Sequence, residues 1–123
     1  MMAAILMQES ASKTGGKHSV QCPVDLVHLA RHTLGNRELE QEILRLFCRQ
    51  SEMLMGKMEN AESGEELFAY AHTMKGSARG IGAWDVANLA EIVEVGGTSD
   101  DIGELNQAVK STVRFIGSIL DVH

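Results

Sequence analysis

A chain of 123 residues and 13.4 kDa has the length of one domain and can bury roughly two thirds of its unfolded surface around a single core, so its stability need not rest on staples. Hydrophobic residues at 44%, charged residues at 23%, one proline and 4% aromatics fit a globular protein and disfavour an all-β one. Eleven Lys and Arg against 17 Asp and Glu give a formal charge of −6 with no basic run, which argues against a nucleic-acid or anionic-membrane surface; any phosphate chemistry must be local.

Residues 1 to 22 read as a tail. Met1 to Met7 are apolar, but the run is too short to span a membrane and has neither a preceding basic region nor a following cleavage site. The small, polar stretch Ser10 to Lys17 buries little, and the domain is expected over 23–123. Cys22 and Cys48 make neither a disulfide framework nor a CxxC pair, so both read as reduced thiols of a cytoplasmic protein, Cys48 buried.

Helical signals begin at Pro23, which suits a first helical turn; this short helix runs through Val27, Ala30 and Leu34 to Gly35 as its C′ residue. Asn36 then caps a long helix, apolar at Leu39, Ile43, Leu46, Phe47, Met53 and Leu54 until about Met58. Ser63 and Glu66 form a capping box, so a third helix is expected from Gly64 to the Gly80-Ile81-Gly82 punctuation. A fourth runs from about Trp84 to Val95, burying Val86, Leu89, Ala90 and Val93, and stops at Gly96-Gly97. The fifth is capped at Thr98 or Ser99, carries Asp100 and Asp101 where the helix dipole favours them, and is apolar at Ile102, Leu105, Val109, Val113, Ile116 and Leu120. No strand pattern competes. Short connections between amphipathic helices predict an all-α fold: an up-down antiparallel four-helix bundle with an additional short N-terminal helix as a lid.

On the third helix, Leu67, Ala71, Met74, Ala78 and Ile81 share one arc, the core face. His72 lies about 140° from Leu67 on that wheel, with Phe68, Lys75, Gly76 and Arg79 within roughly 60° of it. A glycine in mid-helix costs roughly 1 kcal/mol relative to alanine. Gly76 therefore needs a reason: either close packing against a neighbouring helix, or a partner that must come within contact distance of His72. Lys75 and Arg79 are placed to neutralise a phosphoryl group on the imidazole. Taken alone, a surface histidine beside a lysine is as well read as a solvated face.

The string His72-Thr73-Met74-Lys75-Gly76-Ser77-Ala78-Arg79-Gly80-Ile81-Gly82 resembles the signature of histidine-containing phosphotransfer (HPt) domains. These have a histidine, a lysine at plus three, a glycine at plus four, small residues next and a second glycine at plus ten, here His72, Lys75, Gly76, Ser77, Ala78 and Gly82. The resemblance extends in helix order and spacing over about residues 23 to 122. It implies a carrier without catalytic activity of its own, not a kinase, whose histidine takes a phosphoryl group from the aspartyl phosphate of one receiver domain and gives it to another. It implies no cofactor on this chain, since Mg2+ would sit in the receiver. Response-regulator receivers, and a hybrid sensor histidine kinase, would be the partners of a monomer. In this family a residue 22 places after the histidine often hydrogen-bonds the imidazole; here it is Glu94. It would fix the tautomer and leave Nε2 as nucleophile. A solvated Glu94 is the bland alternative, with Glu91, one turn away, in its place.

Other features are less specific. His28 and His32 share a helical face at i, i+4, but Leu29 breaks the HExxH form, and no metal is expected. His18 and His123 read as solvated. Leu44, Cys48 and Met55 form a minor apolar stripe on the second helix; either the first helix covers it, or Leu44 and Phe68 belong to a receiver-docking patch. Two rivals remain. A histidine-kinase dimerisation helix would follow its histidine with an acid and soon a proline, whereas Thr73 follows here and no proline occurs after Pro23. The second rival is a helical scaffold with an incidental histidine. A chain of this length has no room for a kinase or receiver, so the expected role is a freestanding intermediate.

Overall fold

A computed structural model describes residues 22–120, which form five helices and, among those residues, no strand. The helices are α1 (Leu26–Thr33), α2 (Arg37–Glu59), α3 (Gly64–Ile81), α4 (Trp84–Glu94) and α5 (Ser99–Leu120). The expected tail lies outside the described residues except for Cys22, as do His18 and His123.

The starts of α2, α3 and α5 follow their capping chemistry, whereas α4 begins after Ala83 without a side-chain cap. Asn36 accepts the N–H of Leu39, and Ser63 accepts the N–H of Glu66, each supplying a partner for an otherwise orphaned donor. Of the two candidates for α5, Thr98 is the cap: its hydroxyl accepts the N–H of Asp101 while the Asp101 carboxylate accepts the N–H of Thr98. The end of α3 is set by Gly82, whose left-handed backbone (φ 78°) lets the Ala83 N–H reach back to the carbonyl of Ala78.

The first helix departs from expectation. Its cap is Asp25, which accepts the N–H of His28, so α1 begins after Pro23 and in a different register. Val24 and Leu29, both buried, occupy the flanking positions of a hydrophobic staple. Val27 and Leu34 face out; Leu34 is 93% exposed because it, and not Gly35 alone, takes the left-handed turn at the helix end.

The second correction concerns α2. Its buried residues are Leu44, Phe47, Ser51, Leu54, Met55 and Met58, whereas Leu39, Leu46 and Met53 from the longer apolar stripe are exposed. The stripe read as minor is thus part of the core face, and Leu44, only 3% exposed, is not available for docking. Leu26 and Leu29 of α1 line the same cavity as Leu44, so the first helix covers it. Cys48 is only partly buried.

Around the core, α2 packs on α3, α3 on α4, α4 on α5 and α5 on α2, while α1 touches α2 and α3. Met74, Leu105, Val86, Val93 and Ile116 fill the centre with essentially no exposure. No helix among the described residues is long and apolar enough to cross a membrane.

Candidate functional site

The core face of α3 is the one its periodicity requires: Ala71, Met74, Ala78 and Ile81 are buried and Leu67 partly so. That places His72 on the outer side, with 62% of its side chain exposed, midway along a helix held at both ends. Glu94, the last residue of α4, reaches it from the neighbouring helix. One carboxylate oxygen of Glu94 is hydrogen-bonded to His72 Nδ1, and the other accepts from Lys75 Nζ at 2.6 Å. Glu94 is almost completely covered and Lys75 largely so, while the imidazole stays in solvent.

The charges explain the proton positions. The Lys75 hydrogen bond, and after it that of His72, hold the Glu94 carboxyl below the usual carboxylate range. An ionised carboxylate only accepts, so the proton between Glu94 and His72 belongs to Nδ1, and the unprotonated nitrogen of a neutral ring is Nε2. Glu91 does not bond the imidazole; it pairs with Arg79 at 3.2 Å, both half-exposed. The expected cations are therefore both matched: Lys75 by Glu94 and Arg79 by Glu91.

Gly76 has open space where a Cβ would project, with no described residue within 4 Å, so close packing among the described residues does not explain it. Gly82 is different: a Cβ there would lie 2.7 Å from that of Asp25 and 3.0 Å from its carbonyl oxygen. Asp25 is a junction that the sequence reading missed. Its N–H donates to the Gly82 carbonyl, and its carboxylate accepts from His28 N and from Trp84 Nε1, both at 3.1 Å. The His28 N–H, then the Trp84 indole, lower its carboxyl pKa. A capping aspartate three residues before His28 was the available signal.

Two further features were not foreseen. Phe68, one turn before His72, is 49% exposed and stacks its ring parallel to the imidazole, centroids 5.7 Å apart and planes 9° from parallel. Beside Gly76, a shallow groove of about 260 Å³ runs between α2 and α3, lined by Ile43, Leu46, Gln50, Gly76, Ser77 and Gly80. The Ser77 hydroxyl donates to Gln50 across it. Leu46, 52% exposed, thus stands at the edge of the glycine face of α3.

No group of three or more possible metal ligands occurs among the described residues, those around His28 and His32 included. The His28 ring packs edge-on against Trp84 with centroids 4.9 Å apart, and His32 Nδ1 donates to the His28 carbonyl.

Comparison with protein families supplies what geometry alone does not. The family model for the Hpt domain matches residues 42–114. The chain belongs to the Hpt family. The match covers most of α2, all of α3 and α4, and α5 as far as Arg114, and so includes His72, Lys75, Gly76 and Glu94. No curated protein and no solved structure matches it. Hpt domains carry phosphoryl groups in phosphorelays and interact with the receiver domains and kinases of two-component systems.

Proposed function

We propose that this Hpt protein accepts a phosphoryl group on His72 from the aspartyl phosphate of one receiver domain and passes it to another. The observation that carries this reading is an imidazole exposed to solvent yet held at Nδ1 by a covered carboxylate. In the transfer, the Nε2 lone pair attacks phosphorus in line with the acyl phosphate P–O bond. The P–N bond forms as the P–O bond breaks, and the receiver aspartate leaves as a carboxylate. Nδ1 keeps its proton, and the negative charge of Glu94 offsets the positive charge that the ring acquires. The second transfer is the reverse of this displacement onto another receiver. No general base on this chain is needed, and the receiver supplies Mg2+.

Lys75 acts here from its place on Glu94. An ammonium group has three donors, and one bond to Glu94 leaves others for a phosphoryl oxygen. Arg79 contributes from the next turn. The receiver docks over Gly76, where a Cβ would narrow the approach, with Phe68 and the exposed Leu46 at the edges of the contact and Leu44 excluded from it. An up-down arrangement of the four longer helices suits this surface. It is supported by their short connections and by the pairing of His72 with Glu94 and Arg79 with Glu91, whose order reverses between α3 and α4. A cytoplasmic monomer with receivers and a hybrid kinase as partners completes the proposal.

The test is incubation of the full chain with a receiver labelled on its aspartate, with His72→Gln as control. Label should move to the wild type and not to the variant; wild type that stays unlabelled against a panel of receivers overturns the reading.

A further inference from the structure

Phe68, His72 and Gly76 occupy successive turns on one face of α3. Helical side chains lean toward the N-terminus of their helix, so the His72 ring lies over the turn that carries Phe68 and away from the gap at Gly76. The rings stack with planes 9° apart at a centroid separation of 5.7 Å, inside the range in which aromatic pairs attract. Glu94 bonds the same imidazole at Nδ1. A hydrogen bond to one ring atom fixes a position but leaves the ring free to pivot about it; an offset parallel ring beside it restricts that pivot. Together the two contacts define the plane of the imidazole, and with it the direction of the Nε2 lone pair.

We propose that Phe68 is a positioning residue for His72, setting the plane in which Nε2 meets phosphorus, in addition to any contact it makes with a docked receiver. This rests on the phosphotransfer reading above and adds to it a role that does not depend on the partner. The geometry favours positioning in addition to docking because the Phe68 ring, though half-exposed, lies within 9° of parallel to the imidazole in an offset stack.

A small phosphodonor separates the two roles. Phosphoramidate docks on no surface: Nε2 attacks the phosphorus of its zwitterion, whose nitrogen already carries three protons, the P–N bond to that nitrogen breaks, ammonia leaves with the electron pair, and Nδ1 keeps its proton. Full-length wild type, Phe68→Leu and Phe68→Tyr are compared for the rate at which His72 gains a phosphoryl group from phosphoramidate, with far-UV circular dichroism as the check on folding. Because Phe68 is half-exposed, leucine retains apolar bulk without a flat ring and tyrosine retains the ring. Phe68→Leu should slow the reaction about fivefold and Phe68→Tyr should stay within twofold of wild type. Proton NMR of the unphosphorylated chain should show His72 ring-proton shifts that wild type and Phe68→Tyr share and Phe68→Leu does not.

A Phe68→Leu rate within twofold of wild type with phosphoramidate overturns the inference, and a defect seen only with a receiver donor assigns Phe68 to docking alone. Identical His72 ring-proton shifts in wild type and Phe68→Leu also overturn it. These outcomes are distinct from failure of the phosphotransfer reading, in which wild type takes no phosphoryl group on His72 from either donor.

Discussion

Glu94 sits between two donors and serves both, which makes its charge the most consequential at the site. Glutamine keeps one acceptor oxygen for Nδ1–H but loses the ionic partner of Lys75; alanine removes both. Glu94→Ala should therefore slow phosphorylation of His72 by about tenfold, with Glu94→Gln between it and wild type, as rates with a labelled receiver will show. An unchanged Glu94→Ala rate removes Glu94 from the reaction. The acid has a pH signature too. Its carboxyl is depressed below the ordinary 4.5 of a glutamate, first by Lys75 and then by His72. A depressed carboxyl contributes stability that is fully present above the ordinary value and lost as the pH falls through the folded value. The thermal stabilities of wild type and Glu94→Gln should accordingly differ near neutrality and converge as acid carries Glu94 through that window. A gap that persists unchanged below it assigns the difference to some other group.

At the scale of the helix, the two signature glycines of α3 make opposite predictions. A Cβ added at Gly76 would meet no described residue within 4 Å, so Gly76→Ala should raise stability by roughly 1 kcal/mol through helix propensity while slowing transfer from a receiver. Gly82 has φ 78° and a backbone neighbour in Asp25, so Gly82→Ala should cost about 2 kcal/mol in urea unfolding. If Gly76→Ala leaves receiver transfer unchanged, close approach at that glycine is refuted. The same helices show what a sequence makes legible. Ser63, Thr98 and Gly82 mark helix ends because each acts through backbone groups only a few residues away. The inner face of α2 is not legible in this way because the helix is apolar on two sides: periodicity finds Leu39, Leu46 and Met53 as readily as Leu44 and Met55. Only the neighbours, α1 over Leu44 and α5 beside Met55, decide which side is core. The register of α1 turns on Asp25, whose partners Gly82 and Trp84 lie far along the chain. At the site, the His72 spacing is legible, whereas Glu94 over Glu91 is suggested only by the family resemblance; the Phe68 stack is not legible, because ring orientation has no sequence period.

For the molecule as a whole, the ring of helices divides stability from chemistry. The site is built from α3 and α4, with α2 supplying the far wall of the groove beside Gly76, whereas α5 packs on α2 and α4 without contributing a residue to it. The acidic body has the same division: Lys75 and Arg79 are matched by Glu94 and Glu91, so the charge of −6 belongs to the surface at large and the site is locally balanced. Leu105 of α5 is fully buried and tests the separation. Leu105→Ala leaves a cavity that the surrounding side chains fill only in part, and should cost about 2–5 kcal/mol. In a domain of this size that lowers the melting temperature by roughly 10 °C or more. Cavities in a close-packed core act through population, reducing the folded fraction without moving groups on a remote face. At a temperature where the variant is still folded, its transfer rate from a labelled receiver should match wild type within about twofold. A variant that is folded by circular dichroism yet transfers tenfold more slowly would show that α5 sets the geometry of His72 through α4, and that the bundle acts on its histidine as one unit.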